Sequence, residues 1–292
     1  MGADIRFPHL GIVLQHVGRR ISIGDDFFIA YYGIIIALGM LCGFLLASVQ
    51  AERLHLDKEL MMDLAVCDII SAVVGARLYY VVFQWSYYGK HPMEIFDIRG
   101  GGLAIYGGVL AGVLATYIFS RIRKVSFLDL TDAACAGLLI GQILGRWGNF
   151  FNREAFGGYT DQFLAMQIKR ADVRTGDLTK ELLDHVVVLD GVEYIQVHPT
   201  FLYESLWNLA VLVIILLMTK KRKFSGQLFF AYLGLYGLGR FWIEGLRTDQ
   251  LKLFGTGMAV SQVLSGILVI FSIGISIYMG RMTKKEFSEK SC

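Results

Sequence analysis

Charged residues, prolines and cysteines are all scarce in this sequence. Only 18% of its 292 residues are charged and 55% are hydrophobic, whereas soluble domains have about 25% charged and about 45–50% apolar residues. Together with a mean hydropathy of +0.53, this composition argues against a soluble globular enzyme and against a disordered chain. The net charge of +3 is too small to indicate a nucleic acid partner.

The 3 prolines and 4 cysteines exclude further classes of protein. No proline interrupts an apolar run, so the long runs can continue as helices. Cys42, Cys67 and Cys135 lie in such runs and Cys292 is the last residue, which argues against a secreted domain held by disulfides. Glycine, in contrast, is abundant at 33 residues, as is typical of closely packed membrane helices.

Several apolar runs approach the length of about 20 residues that a helix needs to cross a bilayer. The sequence therefore predicts an all-α polytopic membrane protein, a single integral membrane domain with seven transmembrane helices. The predicted spans are 27–49, 64–85, 103–119, 130–151, 201–218, 227–246 and 258–279. Glycines four residues apart predict close helix packing at Gly39–Gly43, Gly108–Gly112 and Gly141–Gly145.

Basic residues follow the first, third, fifth and seventh predicted spans. Because short loops rich in lysine and arginine stay in the cytoplasm, we expect these loops and the C-terminus to be cytoplasmic and the N-terminus to lie outside. The basic segments include Arg53, Arg121 to Lys124, Lys220 to Lys223 and Arg281.

Residues 152–200 are the one long polar segment between predicted spans, and they fall on the predicted outer side. We expect them to form a small extracytoplasmic cap. A polar stretch from Asp161 to Arg174 is helix-like, and Asp190-Gly191 between two β-rich runs predicts a hairpin.

Polar and ionisable residues of several spans lie at one level, near the predicted outer side. Such residues cost roughly 2.5–3.5 kcal/mol each at mid-depth, so they indicate function. Arginines from three spans indicate a site for an anionic headgroup, because the guanidinium fork binds phosphate and keeps its charge. Ion pairing that only holds the bundle together is the alternative. The residues are Tyr32, Arg77, Tyr106, Arg146, Asn149, Glu204, Arg240 and Glu244.

On the sixth span, Tyr236, Arg240, Glu244 and Arg247 are spaced to share one helix face. We expect Glu244 to orient Arg240 through an ion pair. A purely structural ion pair would give the same pattern.

The segment Gly145–Gly157 reads GRWGNFFNREAFG and places arginine, asparagines and glutamate at the exit of the fourth span. It resembles the signature G-R-x-G-N-F-x-N-x-E-x-x-G of the bacterial phosphatidylglycerol–prolipoprotein diacylglyceryl transferases. Further segments resemble motifs of that family in the same order, over about residues 27–280. They are Ala30–Gly33, Gly75–Leu78, Gly101–Gly108, His198–Glu204 and Tyr236–Glu244.

The resemblance implies a seven-span enzyme of the bacterial plasma membrane that needs no metal or other cofactor. Its partners would be phosphatidylglycerol and prolipoprotein signal peptides with a lipobox cysteine. It would transfer the diacylglyceryl group to the cysteine thiol, forming a thioether and releasing glycerol 1-phosphate, as the first step of lipoprotein maturation.

The reaction that the resemblance implies assigns roles to individual residues. The phosphate leaves with a second negative charge, which arginines would bind most tightly in the transition state. The residues assigned to catalysis are Arg146, Arg240, Tyr106 and Glu154. The residues assigned to phosphatidylglycerol binding are Arg146, Asn149, Gly157, Tyr32, Arg77, Tyr236, Glu244 and Glu204.

Tyr106 departs from the family motif, which often has histidine at this position. Tyrosine has a reference pKa of about 10 against about 6.5 for histidine, so it is a poor base at neutral pH. Glu154, Glu204 and Glu244 are then the candidate proton acceptors, with Tyr106 as a hydrogen-bond donor.

Three other functions compete with the transferase. A transporter for an anionic small molecule predicts broken spans in matching halves and a mid-membrane site, and the sequence has no inverted repeat. A phosphatidyl-alcohol transferase predicts an Asp-rich metal motif. A membrane scaffold has no use for the signature segment.

Overall fold

The computed structural model describes residues 3–23, 27–98, 101–253 and 257–290, most of them helical. The helices, in chain order, are α1 (Tyr31–Arg53), α2 (Lys58–Phe83), α3 (Trp85–Tyr88), α4 (Ile105–Arg123), α5 (Phe127–Asn152), α6 (Lys180–Asp184), α7 (Thr200–Thr219), α8 (Gln227–Glu244) and α9 (Val260–Lys290).

Six of the described helices are long and apolar enough to cross a membrane: α1, α2, α4, α5, α7 and α9 as far as Thr283. The chain is therefore a multi-pass membrane protein. α8 coincides with the sixth predicted span and carries Arg240 and Glu244, but it is not one of these six helices. It packs against α7 and α9.

Several helix boundaries differ from the predicted spans, most of all the end of α9, which lies at Lys290 and not at residue 279. The first span was predicted to begin at residue 27, but Phe27–Ala30 is a strand and α1 begins at Tyr31. α2 begins at Lys58, six residues before its predicted start, because the Asp57 side chain caps it by accepting a hydrogen bond from the Glu59 amide.

The chain divides into two compact units, Met1–Gly43 with Ala136–Cys292, and Phe44–Cys135. The first unit contains an antiparallel sheet of five strands in the order β2-β1-β5-β7-β6. Its strands are β1 (Ala3–Phe7), β2 (Ile12–Val17), β5 (Met166–Lys169), β6 (Val187–Leu189) and β7 (Val192–Val197). A separate hairpin consists of β3 (Arg20–Ile23) and β4 (Phe27–Ala30).

The sheets correct two predictions. The all-α class is wrong, because the N-terminal residues and the segment 152–200 build the five-stranded sheet. The helix predicted near Asp161–Arg174 is also wrong, because β5 lies within it and pairs with both β1 and β7. This pairing overrides the local helical preference. The predicted hairpin is confirmed: Leu189 pairs with Val192, and Asp190 and Gly191 form the turn with φ of 51° and 75°.

An apolar core joins the sheet to the ends of two helices in the first unit. Ile5, Ile168 and Ile195 of the sheet are at most 1% exposed and cluster with Phe150 of α5 and Phe201 of α7. The exit of α5 and the first turn of α7 are therefore fixed beneath the sheet.

Glycines bring α1 and α5 close together in the same unit. A Cβ added to Gly39 would lie 3.6 Å from Gly141, and one added to Gly43 would lie 2.7 Å from the Gly137 carbonyl oxygen. The packing predicted from the glycine spacing is confirmed for these two helices.

In the second unit α2 packs along α4. Gly75 and Gly107 face each other so closely that a Cβ on either would overlap the partner helix. The predicted Gly108–Gly112 pair contributes only in part: Gly108 faces Ala72, but among the described residues nothing lies within 4 Å of an added Cβ at Gly112.

Candidate active site

The centre of the candidate site is the carboxylate of Glu204, the fifth residue of α7. Its side chain is only 4% exposed. It accepts a hydrogen bond from Arg240 of α8, with distances of 3.0 and 3.1 Å from Nη1 to its two oxygens. It also pairs with Arg146 of α5, at 2.7 Å from Nη2 to Oε2. One buried carboxylate therefore holds two arginines from different helices.

The other terminal nitrogen of the Arg240 guanidinium, Nη2, contacts Glu244, which lies one turn further along α8. The distance from Arg240 Nη2 to Glu244 Oε2 is 2.5 Å, which confirms the predicted ion pair. Arg247 Nη1 approaches the same oxygen to 3.8 Å. Arg247 also donates two hydrogen bonds to Asp249, with N–O distances of 2.9 and 2.7 Å. Burial alone raises the pKa of Asp249, but the hydrogen bonds and charge of Arg247 hold it below its ordinary value.

On the other side of Arg146, the signature segment continues the chain of contacts. Arg146 Nη1 donates to Asn149 Oδ1 at 3.4 Å. The amides of Asn149 and Asn152 both donate to Glu154 Oε1 at 3.1 Å. Arg174 Nη2 lies 3.3 Å from Glu154 Oε2.

A sharp turn after α5 brings Glu154 back toward Asn149. Arg153 and Ala155 have φ of 57° and 58°, in the left-handed region that residues other than glycine seldom adopt. Arg153 is 4% exposed and fixes the turn by donating to the carbonyls of Phe151, at 2.9 Å, and of Val17. The unusual backbone is therefore held by the N-terminal strands.

We call the connected residues Arg146, Asn149, Glu154, Glu204, Arg240, Glu244, Arg247 and Asp249 the arginine–carboxylate network. Together with Arg174 its ion pairs join four arginines to four carboxylates, so the charges balance. A guanidinium has five N–H donors. The contacts of Arg146 and Arg240 with other described residues do not use all of these donors. The two side chains are also 20% and 17% exposed. Both arginines can bind a further acceptor.

Two tyrosines of the predicted site flank the network's helices. Tyr32 of α1 packs against Gly148, where an added Cβ would lie 2.7 Å from its ring. Tyr236 lies one turn before Arg240 on α8 and stacks on Tyr232, with ring centroids 5.7 Å apart.

Arg77 and Tyr106 belong to the second unit. Arg77 is 7% exposed, and its guanidinium donates five hydrogen bonds of 2.5–3.0 Å to backbone carbonyls. The acceptors are Glu94, Ile95, Asp97, Gly101 and Gly102. The guanidinium thus contacts backbone carbonyls of the segment before α4, which is neither the predicted headgroup contact nor the alternative of an ion pair within the bundle. Tyr106 is the second residue of α4 and is 37% exposed.

The family model for prolipoprotein diacylglyceryl transferases matches residues 20–278. The chain belongs to this family. A phosphatidylglycerol–prolipoprotein diacylglyceryl transferase of Clostridioides difficile (strain 630) is 41% identical over 262 residues, covering 90% of this chain and 95% of the relative. One of Bacillus anthracis is 42% identical over 283 residues, covering 96% and 99%. The predicted family is confirmed, and a transferase is supported over a transporter.

Some residues that the structure adds to the site were absent from the predicted set. Arg247 shares the helix face of Arg240 and was noted without a role. Asp249 follows Arg247 by two residues, and Asn152 lies in the signature, so the sequence contained a signal for both. Nothing in the sequence connects Arg174 with Glu154.

Gly157, the last residue of the signature segment, packs against the chain on both sides. Its amide donates to the His198 carbonyl at 3.0 Å, and the Gly158 amide donates to the Leu246 carbonyl at 2.8 Å. A Cβ on Gly157 would lie 2.7 Å from His198 Cβ and 2.8 Å from the Leu246 oxygen. Gly157 therefore ties the signature to the start of α7 and to the residues following α8.

We expect Gly157→Ala to destabilise the folded protein by about 1–3 kcal/mol, the usual cost of overpacking, and to lower transfer activity because α7 and α8 carry Glu204 and Arg240. Thermal unfolding and turnover on a lipobox peptide measure both effects. Gly158→Ala is the matched control, since among the described residues its Cβ would meet Glu181 Oε2 alone, at 3.9 Å. Equal stability in the two variants would contradict this role.

Proposed function

We propose that the protein transfers the diacylglyceryl group of phosphatidylglycerol to the thiol of the lipobox cysteine of a prolipoprotein. The sulfur forms a bond to the glycerol carbon, the bond from that carbon to the phosphate oxygen breaks, and glycerol 1-phosphate leaves with the bonding electrons. The observation that supports this most directly is the pair of arginines, Arg146 and Arg240, held by the buried Glu204.

Arg146 and Arg240 are proposed to bind the phosphate. The leaving group changes from a monoanion toward a dianion, so donors fixed in advance bind the transition state more tightly than the ground state. Glu204 and Glu244 fix both guanidinium groups from buried positions, which limits their reorganisation during the reaction. Asn149 adds a hydrogen-bond donor, and Tyr32, Tyr236 and Gly157 are proposed to shape the space around the headgroup.

Glu154 is the carboxylate that we propose as the acceptor of the thiol proton. All three carboxylates contact arginines, but Glu204 and Glu244 are 4% and 6% exposed, whereas Glu154 is 21% exposed and its partner Arg174 is 77% exposed. Glu154 is therefore the carboxylate of the three that an arriving cysteine reaches most easily.

The proposed reaction is tested with purified enzyme, phosphatidylglycerol and a synthetic lipobox peptide, analysed by mass spectrometry. We expect the peptide to gain one diacylglyceryl group and glycerol 1-phosphate to appear in equal amount. A peptide with serine in place of the cysteine, and phosphatidylcholine in place of phosphatidylglycerol, are expected to give no product. Lipid hydrolysis without a peptide adduct would contradict the proposal.

Tyr106 is proposed to orient the headgroup or a proton acceptor through its hydroxyl. We expect Tyr106→Phe to be impaired, because phenylalanine lacks the hydroxyl that donates this hydrogen bond. Tyr106→His is expected to retain activity and to acquire a loss of rate below about pH 6.5. Rates from about pH 5.5 to about pH 9 with saturating phosphatidylglycerol test this. Full activity of Tyr106→Phe would make Tyr106 an ordinary interfacial aromatic.

We also propose that the chain is one integral membrane domain with seven spans, including α8, and that the sheet forms a cap outside the plasma membrane. The N-terminus is then outside and the C-terminus cytoplasmic. The positive-inside rule supports this orientation, because Lys220 to Lys223 and Arg281 fall on one side.

This orientation predicts the labelling of single cysteines in a variant whose 4 native cysteines are replaced by serine. An impermeant maleimide added to intact cells should label Val188→Cys, at a residue 63% exposed in β6. It should leave Lys221→Cys, in the exposed loop after α7, unlabelled until the cells are opened. The reverse pattern would overturn the orientation.

A further inference from the structure

Two residues with strained backbone flank Glu154 in the turn after α5. Arg153 and Ala155 have φ of 57° and 58°, in the region that residues other than glycine seldom adopt. Such conformations persist only where the surrounding contacts hold them, and they cluster at functional sites. The residue between the two is the carboxylate that we propose as the acceptor of the thiol proton. The contacts that hold this turn therefore bear on the reaction.

The side chain of Arg153 holds the turn from a buried position. It is 4% exposed, and its Nε is buried without a hydrogen-bond partner among the described residues. Nη1 donates to the Phe151 carbonyl at 2.9 Å, and Nη2 donates to the Val17 carbonyl. A buried cation with an unused donor is costly. What this arginine provides in return is a bond between the turn and a segment 136 residues earlier in the chain.

Val17 is a fixed point for this bond. It is the last residue of β2, and its side chain packs against the same apolar core as Phe150. A bulge precedes it, because His16 has φ of 55° and the register of the β1–β2 pair shifts between Ala3 and Ile5. Bulges redirect a strand and are frequent next to active sites. The sheet and the core thus hold the end of β2 independently of Arg153.

Neither partner of this bond is specified by the features that define the family. The signature leaves the position of Arg153 open, and Val17 precedes residues 20–278, which the family model matches. The bond between β2 and the turn is therefore not implied by membership of the family.

We propose that Arg153 is a positioning residue for the transfer reaction, which joins the turn after α5 to the end of β2 and so holds Glu154 at the candidate site. Glu154 Oε1 accepts hydrogen bonds from Asn149 and Asn152, whereas Oε2 lies 3.3 Å from Nη2 of the exposed Arg174. In the proposed step the S–H bond breaks and its proton goes to Oε2. The electron pair of the sulfur forms the bond to the glycerol carbon as glycerol 1-phosphate leaves. This inference rests on the proposed function of Glu154.

The first test compares Arg153→Gly with Ala155→Gly in the purified full chain. Glycine adopts the left-handed backbone without steric cost, so neither variant strains the turn, but Arg153→Gly loses the bonds to the two carbonyls. With phosphatidylglycerol and a lipobox peptide, we expect Arg153→Gly to lower kcat by about 10²-fold, the lower end of what a general base contributes. Its KM for phosphatidylglycerol should stay within about twofold of the wild type. Ala155→Gly should retain the wild-type kcat. Equal losses in the two variants would assign the effect to backbone flexibility and overturn the proposal.

A reduced peptide with selenocysteine in place of the lipobox cysteine distinguishes positioning of Glu154 from general damage. The ionised thiol is the nucleophile, and a selenol is already ionised at neutral pH, so its attack needs no proton acceptor. Glu154→Gln is the reference, and it should lose at least about 10²-fold in kcat with the cysteine peptide. With the selenocysteine peptide, both Glu154→Gln and Arg153→Gly should come within about threefold of the wild type. Equal impairment of Arg153→Gly with both peptides would show damage to the fold and overturn the proposal, as would wild-type activity with the cysteine peptide.

The wild type separates failure of this inference from failure of the proposed function. If it forms no adduct with the cysteine peptide, the proposed transfer is contradicted and the inference with it. If it forms the adduct but the selenocysteine peptide does not restore Arg153→Gly, the positioning role alone is contradicted. Arg153→Lys keeps the test valid if Arg153→Gly does not fold, because an ammonium keeps the buried charge but lacks the planar fork that reaches two carbonyls. Its loss should also shrink with the selenocysteine peptide, and a loss equal with both peptides would contradict the role of Arg153.

Discussion

Glu204→Gln is expected to abolish transfer and to lower the stability of the protein by about 3 kcal/mol, at the lower end of the cost of breaking a buried ion pair. The amide keeps the shape of the side chain but removes the negative charge between Arg146 and Arg240. Two guanidinium cations then lie close together, and among the described residues Glu244 is the buried carboxylate that still pairs with one of them. Both arginines should move apart, so the proposed phosphate site is lost with the stability. Turnover on a lipobox peptide and thermal unfolding in detergent measure the two effects.

Glu193→Gln is the matched control for Glu204→Gln. Glu193 also pairs with an arginine, Arg170, at 2.7 Å, but both side chains are about half exposed. Exposed pairs contribute about 0–1 kcal/mol, so neither activity nor stability should change appreciably. Wild-type turnover of Glu204→Gln would show that the buried carboxylate has no part in the reaction.

Arg146→Lys is expected to reduce kcat by about 10²–10³-fold while the protein still folds and inserts. A lysine ammonium can still pair with Glu204 but cannot contact Glu204, Asn149 and a phosphate with a planar fork. About 2.7–4 kcal/mol of transition-state stabilisation is then lost, on the scale of a single oxyanion-hole donor. The fall should be in kcat more than in KM, because the contact strengthens as the phosphate gains charge.

Arg170→Lys is the control for Arg146→Lys, since it makes the same chemical change at a salt bridge away from the network. Its kcat and KM should equal those of the wild type. If Arg146→Lys also retained wild-type kcat, a bidentate contact with the phosphate would be ruled out.

Much of the candidate site could be predicted from the sequence because helix geometry is regular. The four-residue spacing of Arg240 and Glu244 placed them on one face, and their ion pair is present. The ends of the apolar runs predicted that Arg146, Glu204 and Arg240 lie at a similar depth in the membrane. That one carboxylate would bind both arginines could not be predicted, because it depends on how three helices pack.

The partners of Arg77 could not be predicted from its position in a span. Its five bonds to the carbonyls of residues 94–102 depend on a loop that returns over α2. No spacing in the sequence indicates that return. An arginine that binds a lipid headgroup and one that bonds to the carbonyls of a loop therefore give the same sequence pattern.

The sheet was missed for a related reason. Helical spans are recognised from local apolar runs, but β1 pairs with β5 through Arg6 and Gln167, which are far apart in the chain. The β6–β7 hairpin was predicted because its turn, Asp190-Gly191, is a local signal. Long-range strand pairing leaves no such signal, and β5 was therefore taken for a helix.

The most direct test of the proposed site is the position of the phosphatidylglycerol headgroup in a structure of the complex. The account predicts phosphate oxygens about 2.7–2.9 Å from guanidinium nitrogens of both Arg146 and Arg240, with Glu204 still bridging the two arginines. A headgroup bound elsewhere, with Arg146 and Arg240 contacting only their carboxylates and Asn149, would contradict it.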